Sequence, residues 1–419
     1  MHGHPRSHLD SGVSRGPRRG PSCATARAVT PFPRSVRTPV RCSGGSGGPT
    51  MNGRILMLYR PELPGQRAQT IQVLHMARAF AERGFEVTVL GNRRDRTATP
   101  QAALRALGIS ACPGLHVQLA PARQRGVAGA WFRLQAYRWS RGQPGVVFAR
   151  DLERLVDGAT WWRDRHRVVL EVHGRTSGDA GAPASAFDLE QAALRLAGGV
   201  VANCEGTADE WRETHGGALP GPIVVQHNGT AAGRRRAPVE TDGVVRAVGS
   251  LRAFKGWHTL AEAARMRGVG PIELVGGRRT DLPGVDMLGL AVREAVPFPE
   301  VPDLLASSSV LVLPLSDNRF GRILTSPLKL FDYLATGVPL VLPDLPSISH
   351  ALLAAGADAS GLERYQPGNA ASLARAIRRA RRQAPRSPVM RTWQHRADAL
   401  IPLLFPPSSP LAPLAPQMA

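Results

Sequence analysis

"RILMLYRPELPGQRAQTIQVLHMARAFAERGFEVTVLG" (54–91) decides the fold. "RILMLY" (54–59) is a short apolar run bounded by the turn-rich "RPELPGQRAQ", the pattern of a buried strand. In "TIQVLHMARAFAERG", Ile71, Leu74, Ala77 and Phe80/Ala81 recur at helical spacing, and Gly84 is the natural stop. "FEVTVLG" then alternates as a second strand. Strand, helix and strand in this order form a βαβ unit, which implies a parallel sheet with right-handed crossovers.

The alternation continues outward. "GVVFAR" (145–150), "RVVLEVHG" (167–174), "GGVVAN" (198–203) and "PIVVQHNG" (222–229) are strand-like, with helical stretches at 186–197 and 206–214. After the polar, basic break "TAAGRRRAPVETDG" (230–243) the pattern restarts with "VVRAVGS" (244–250), a helix at 257–267, "PIELVGG" (271–277), "VLVLPLS" (310–316) and "VPLVLPD" (338–344). The expected fold is therefore α/β, with two consecutive doubly wound, Rossmann-like domains facing a central cleft. The expected divisions are a leader at 1–50, a first domain at 51–232, a second at 233–387, a terminal helix at 388–405 and a Pro-rich tail at 406–419. In such sheets ligands bind beyond the carboxyl ends of the strands, so the cleft is the expected site.

Composition narrows the function classes. The net charge is +21. Residues 1–50 hold eight Arg and one acid, Asp10, leaving 45 basic and 31 acidic residues in the remainder. Part of that excess is concentrated in "RRR" (234–236) and "RAIRRARRQAPR" (375–386). No aromatic residues are interleaved there as stacking platforms, so nucleic acid is not an expected partner. The cysteines Cys23, Cys42, Cys112 and Cys204 show neither disulfide-framework nor zinc spacing, and no metal is expected; a reducing cytoplasm fits. No run of apolar residues is long enough to span a bilayer. The leader is Arg- and Ser-rich and ends in "CSGGSGGPT". That composition reads as linker, and a transit peptide shares it; translation from Met51 is the expectation.

Only two of the 53 basic residues are lysine, Lys255 and Lys329. Lys255 lies in "VGSLRAFKGWHTL", where a strand ends at Gly249 and a helix begins near Trp257. Such a loop offers N–H groups and a favourable dipole to an anion, and lysine adds a compact charge; a solvated surface lysine is the plain alternative. Lys329 lies in "SPLKLFDYLATGVPLVLPD" (326–344). Here Ser326 reads as an N-cap and Pro327 as a first-turn residue. Lys329 and Asp332 share a helix face at i, i+3, suited to phosphate and a sugar diol, or to a mere local ion pair.

These motifs, taken in order, resemble the retaining GT-B glycosyltransferases of the "glycosyl transferases group 1" type, in the branch reading "SPxKlfEY". The resemblance spans about 52–405. It includes "VVLEVHG", "AGGVVANCEG", "VVQHNGT" and "RTWQHRADAL", the last being similar to a terminal helix that crosses back to the first domain. The resemblance implies that Gly249, Ser250, Arg252, Lys255 and Gly256 meet the donor diphosphate, that Ser326 and Lys329 assist, and that Asp332 holds the nucleotide ribose. Ser250 stands where many members have Arg, and Arg252 is the expected substitute. It also implies that His173 approaches the donor sugar and that Gly65, Gln66 and Thr70 border the acceptor. Counting back from Asp332 puts Leu324 where the family's first acid belongs, with Asp317 the nearest upstream candidate for a catalytic carboxylate.

The implied activity is metal-independent transfer of a sugar from a UDP-, GDP- or ADP-sugar to an acceptor hydroxyl on a glycan, a lipid-linked intermediate or a small molecule. No cofactor is expected. A cytoplasmic protein is implied, with weak contact to an anionic membrane face through 375–386 as a secondary expectation. The alternatives are a GT-B nucleotide-sugar epimerase and a non-catalytic nucleotide-sugar- or nucleic-acid-binding protein.

Overall fold

The computed structural model describes residues 53–121, 125–179, 181–231, 240–252 and 255–407, all within one compact unit, 49–419. The leader at 1–50, "RRR" at 234–236 and the end of the tail lie outside the described residues.

The 54–91 stretch folds as its pattern dictates. Arg54–Leu58 (β1) is parallel to Glu86–Arg93, and the helix Ala68–Ala81 connects them. Between them lies the two-residue strand Glu62–Leu63 (β2), so Glu86–Arg93 is β3. The sheet also contains Leu115–Leu119 (β4), Val146–Ala149 (β5), Arg167–Val172 (β6), Val200–Ala202 (β7) and Val224–Val225 (β8). Its order is β3-β1-β5-β6-β7-β8, with β4 and β2 pairing to the outer side of β3 and every pairing parallel. Successive residues of β1 feed opposite layers. Ile55 and Met57 pack with Val73, Leu74 and Phe80, whereas Leu56 and Leu58 pack with Phe132, Leu155 and Leu170. Burial on both faces explains why the strand is uniformly apolar.

The second sheet repeats the plan with Val245–Val248 (β9), Ile272–Val275 (β10), Leu290–Arg293 (β11), Val310–Val312 (β12), Leu340–Pro343 (β13) and Glu363–Tyr365 (β14). Its order is β11-β10-β9-β12-β13-β14, again all parallel. The expected join near 230–243 falls between β8 and β9. The central strands were legible as apolar runs. β4, β11 and β14 were not, because "LHVQL", "LAVR" and "ERY" are short outer strands carrying polar or charged side chains.

After the second sheet, the helix Trp393–Leu404 returns to the first, as expected. Trp393, Ala397, Leu400 and Leu404 join the core that holds Phe80 and Phe85, Phe405 stacks on Phe85 at 4.8 Å, and Arg83 pairs with Asp398 at 2.7 Å.

The two sheets also meet directly. The helix Glu205–His215 packs on a π-helical turn, Phe320–Leu324. Buried Cys204 donates its S–H to the Ile323 carbonyl at 3.2 Å, and Arg319 pairs with Glu210 at 2.6 Å. A Cβ on Gly206 would lie 2.3 Å from the Ile323 oxygen, so glycine is needed for this approach. Gly206→Ala should cost about 1–3 kcal/mol of stability through overpacking, read by denaturant unfolding. An unchanged midpoint would show that the contact is looser than the structure has it.

Candidate active site

At the carboxyl end of β9 the chain turns sharply. Gly249 donates to the Val275 carbonyl at 2.8 Å. Gly276 follows β10 at φ +135, and a Cβ there would lie 2.4 Å from the Gly249 oxygen. Two loops thus run in contact beneath the site. Tyr333, which the sequence reading passed over, sets the third element. Its hydroxyl accepts from the Val248 N–H at 2.8 Å and donates to the Val248 carbonyl at 3.3 Å. This bond fixes the helix Leu328–Leu334, and with it Lys329, against the end of β9.

The two lysines therefore converge. A side chain on Gly249 would begin 3.6 Å from Lys255 Nζ and 3.7 Å from Lys329 Cε. Lys255 Nζ donates to Ser250 Oγ at 3.1 Å, so the serine in the place of an expected arginine is a neutral partner for the ammonium. Lys329 reaches Asp332 only at 3.8 Å. Burial first, then the charges of Lys329 and Arg252, push the Lys255 pKa down to about 8. Gly256, at φ +68, is the N-cap of the helix Trp257–Ala264, whose free N–H groups and dipole add positive potential. Trp257 Nε1 donates to the Arg252 carbonyl at 2.8 Å and ties the loop down; the Arg252 side chain is exposed.

The hydroxyl of the 326–344 stretch faces elsewhere than expected. Ser326 does not cap its helix, whose N-cap is Pro327. Its Oγ accepts from the Asn228 N–H at 2.9 Å and lies 3.2 Å from His227 Nδ1, while its carbonyl accepts from Asn228 Nδ2 at 2.7 Å. Ser326 therefore joins the sheets, because Asn228 offers it a backbone N–H and a side-chain amide in place of a local cap. Asp332 accepts from Thr230 Oγ1 at 2.8 Å, and burial raises its pKa against the opposing pull of Lys329 and Thr230.

Across the cleft, His173 follows β6, and its ring stands on a buried network that sequence reasoning missed. Glu171 is 1% exposed and accepts from Tyr59 Oη, Gln72 Nε2 at 2.5 Å, His173 Nε2 at 2.8 Å and Arg396 Nη2 at 2.7 Å. Burial alone would raise the Glu171 pKa, but Arg396, His173 and Tyr59 hold it well below the usual carboxylate range. Burial, with Arg150 next, lowers His173 to about 4, so its ring is neutral near pH 7. Donation from Nε2 to Glu171 assigns the proton to that nitrogen and leaves Nδ1 an acceptor. The available sign was one acid inside the apolar strand "RVVLEVHG" and one arginine on the apolar side of "WQHRADAL".

The catalytic carboxylate has no such support. Asp317 is paired with Arg322 at 2.6 Å and half exposed. Leu324 is buried, and its Cδ1 would lie 3.8 Å from a Cβ on Gly174, so an apolar side chain stands beside the residue after His173. On the acceptor side, Gly65 closes a turn in which a Cβ would meet the Glu62 carbonyl at 2.8 Å. Gln66 is exposed, and its amide suits Val296 O at 3.3 Å and Phe298 N at 3.2 Å, on the second-sheet side. Thr70 lines a cavity of about 860 Å³ at the carboxyl ends of β1, β3 and β5. Among the described residues no group of three or more His, Cys, Asp or Glu could hold a metal ion.

Residues 69–234, under half the chain, match the profile of Glycosyltransferase Family 4. No curated protein matches the sequence. The fold is shared with sucrose-phosphate synthase from Thermosynechococcus elongatus (16% identity, 83% of this chain and 94% of that one, TM-score 0.56). It is also shared with Anabaena HepE, solved with UDP and glucose (15% identity, 84% and 95%, TM-score 0.55). An α-glucosyltransferase solved with UDP and a 13-mer DNA is similar as well (11% identity, 85% and 96%, TM-score 0.53). The chain thus has the GT-B fold: two Rossmann-like sheets and a terminal helix that crosses back.

Removing one partner of a buried ion pair leaves the other uncompensated. Glu171→Ala should therefore destabilise the chain by about 3–5 kcal/mol in denaturant unfolding. A loss below about 1 kcal/mol, the scale of an exposed pair, would contradict the buried network.

Proposed function

We propose that this chain is a glycosyltransferase that moves a sugar from a nucleotide-diphospho-sugar to an acceptor hydroxyl. The observation that carries the reading is the convergence of its only two lysines on Gly249 in a GT-B frame. Two lysines at one turn, with no acid among the described residues nearer than 3.8 Å to Lys329 and a hydroxyl on Lys255, form a site that gains from a polyanion. The family profile over 69–234 supports the transferase class. HepE's complex with UDP recommends UDP-sugars as the first donors to test, ahead of GDP- and ADP-sugars.

In this reading the diphosphate lies over Gly249 between Lys255 and Lys329, with the Gly256 helix end behind it. Ser250, and Arg252 from the loop's exposed side, complete the pocket. The acceptor oxygen bonds to the anomeric carbon as the bond from that carbon to the β-phosphate oxygen breaks, and the acceptor proton passes to the departing phosphate. The lysines oppose the charge that builds on the diphosphate, which supports metal-independent transfer. His173 Nδ1 accepts from a sugar hydroxyl. Asp332 keeps one oxygen for the ribose while Thr230 holds the other. The proposed outcome is retention, supported by the leucine where an acid beside the reacting sugar would stand and by the surface pairing of Asp317. A weak anionic-membrane contact through the exposed Arg375, Arg381 and Arg382 would suit a lipid-linked acceptor, and no helix among the described residues is long and apolar enough to cross a membrane.

A screen for release of nucleotide diphosphate from UDP-, GDP- and ADP-sugars tests the reading. No turnover or nucleotide binding, together with salt-dependent retention of DNA or RNA, would sink it. Lys255→Ala and Lys329→Ala should each weaken binding of the productive nucleotide diphosphate about 10- to 100-fold, the size of a charge-assisted hydrogen bond, with the fold unchanged. Asp332→Ala should weaken it less. Equal affinities would remove the site assignment.

The pH dependence has a definite sign. The folded pKa of Lys255, about 8, lies below its unfolded value, so the free protein carries a penalty that is full below that pH and lifts as pH rises through it. The bound anion needs the charged form. Nucleotide diphosphate affinity should be level between about pH 7, where the terminal phosphate is ionised, and about pH 8, and decline above it, and Lys255→Arg should flatten that decline. Calorimetric titrations on both sides of this pH would decide; a wild-type affinity that rises above it contradicts the assignment.

A further inference from the structure

The cavity at the carboxyl end of the first sheet is rich in arginine: Arg60, Arg67, Arg93, Arg150 and Arg154 line it. The acids of the lining, Glu62, Asp151 and Glu153, are already committed. Arg60 is bound to Asp151, with Glu153 3.6 Å away, and Arg67 reaches Glu62 at 3.1 Å. Arg154 pairs with Asp157 at 2.7 Å, and its buried Nε has no partner among the described residues. Arg93 donates to the carbonyls of Ala120 and Arg96 and meets no carboxylate among the described residues.

Arg150 is the decisive residue. It is half-buried directly after β5, and among the described residues its guanidinium makes no hydrogen bond or ion pair. Glu171, the acid whose charge it feels, is already saturated by Tyr59, Gln72, His173 and Arg396. A guanidinium cannot shed its proton, and a half-buried one that faces a cavity without a counter-ion is open to an anion. Arg93 ends β3 and Arg150 follows β5, the strands on either side of β1, with Arg93 two residues further along the register, which sets their backbones roughly 12 Å apart, within joint reach of two arginine side chains.

We infer that the acceptor carries an acidic group, a phosphate or a carboxylate, which Arg150 binds with Arg93 at the edge of the same cavity. The inference rests on the glycosyltransferase reading and adds the acceptor's chemical class. A neutral acceptor would expel water from Arg150 and supply no charge in return. An anionic one matches the fork of a guanidinium.

The test uses the intact chain saturated with UDP, so that the lysine site is filled. Glycerol 3-phosphate, glycerate and glycerol are titrated in calorimetry, and vesicles bearing a polyprenyl monophosphate are compared with neutral vesicles. Binding of either soluble anion, or of the phosphate-bearing vesicles alone if the acid is lipid-borne, with glycerol inert, is the expected result. Arg150→Gln should weaken that binding about 10- to 100-fold while leaving UDP affinity unchanged. Arg93→Gln should weaken it less, and it serves as the test if Arg150→Gln does not fold. Anions that bind no better than glycerol in any arm, or equally well to folded Arg150→Gln, overturn the inference. If UDP does not bind, the glycosyltransferase reading fails separately, and the same titrations without nucleotide still decide whether Arg150 holds an anion.

Discussion

The ion pair between Glu171 and Arg396 is the contact on which the rest of the molecule depends. Glu171 belongs to β6 of the first sheet, and Arg396 comes from a helix that follows the whole of the second sheet. Both side chains are removed from water, at 1% and 0% exposure. A pair buried this deeply gains little over an apolar pair but is costly to break, so its value is specificity of arrangement. It fixes where the crossing helix lies and fixes the carboxylate that orients His173. The return of the chain and the state of a cleft residue are thereby set together.

The cleft faces carry opposite electrostatic problems. On the second sheet, Tyr333 and the Gly249–Gly276 contact bring two lysines to one turn, and burial first, then the charge of Lys329, depresses the pKa of Lys255. On the first sheet, Glu171 is satisfied and His173 neutral, so the unbalanced charge there belongs to arginine. A cleft with surplus positive charge on both walls is suited to a diphosphate on one side and, in our inference, a second anion on the other. The contacts through Cys204, Gly206 and Ser326 keep the walls in register.

Much of this was legible in the sequence, for identifiable reasons. β1 and β5 are buried on both faces and so read as apolar runs, and β6 reads as one interrupted only by Glu171; the first helix shows its period and its glycine stop. The lysines stand out because every other Lys or Arg position in the chain is arginine. Ser326 was misread because local capping rules see only neighbours in sequence, whereas Asn228 is a neighbour in space. Glu171, Arg396 and Tyr333 were invisible as a group for the same reason. Glu171 is a lone acid in an apolar strand, and Arg396 and Tyr333 lie on the buried sides of mixed helices; only the fold brings their partners within hydrogen-bonding distance.

The most direct test is a crystal structure of the chain with a bound nucleotide diphosphate. The account predicts the β-phosphate over the Gly249 backbone, between Lys255 and Lys329, with the ribose towards Asp332. A diphosphate seated anywhere else, with both lysines still facing solvent, would contradict it.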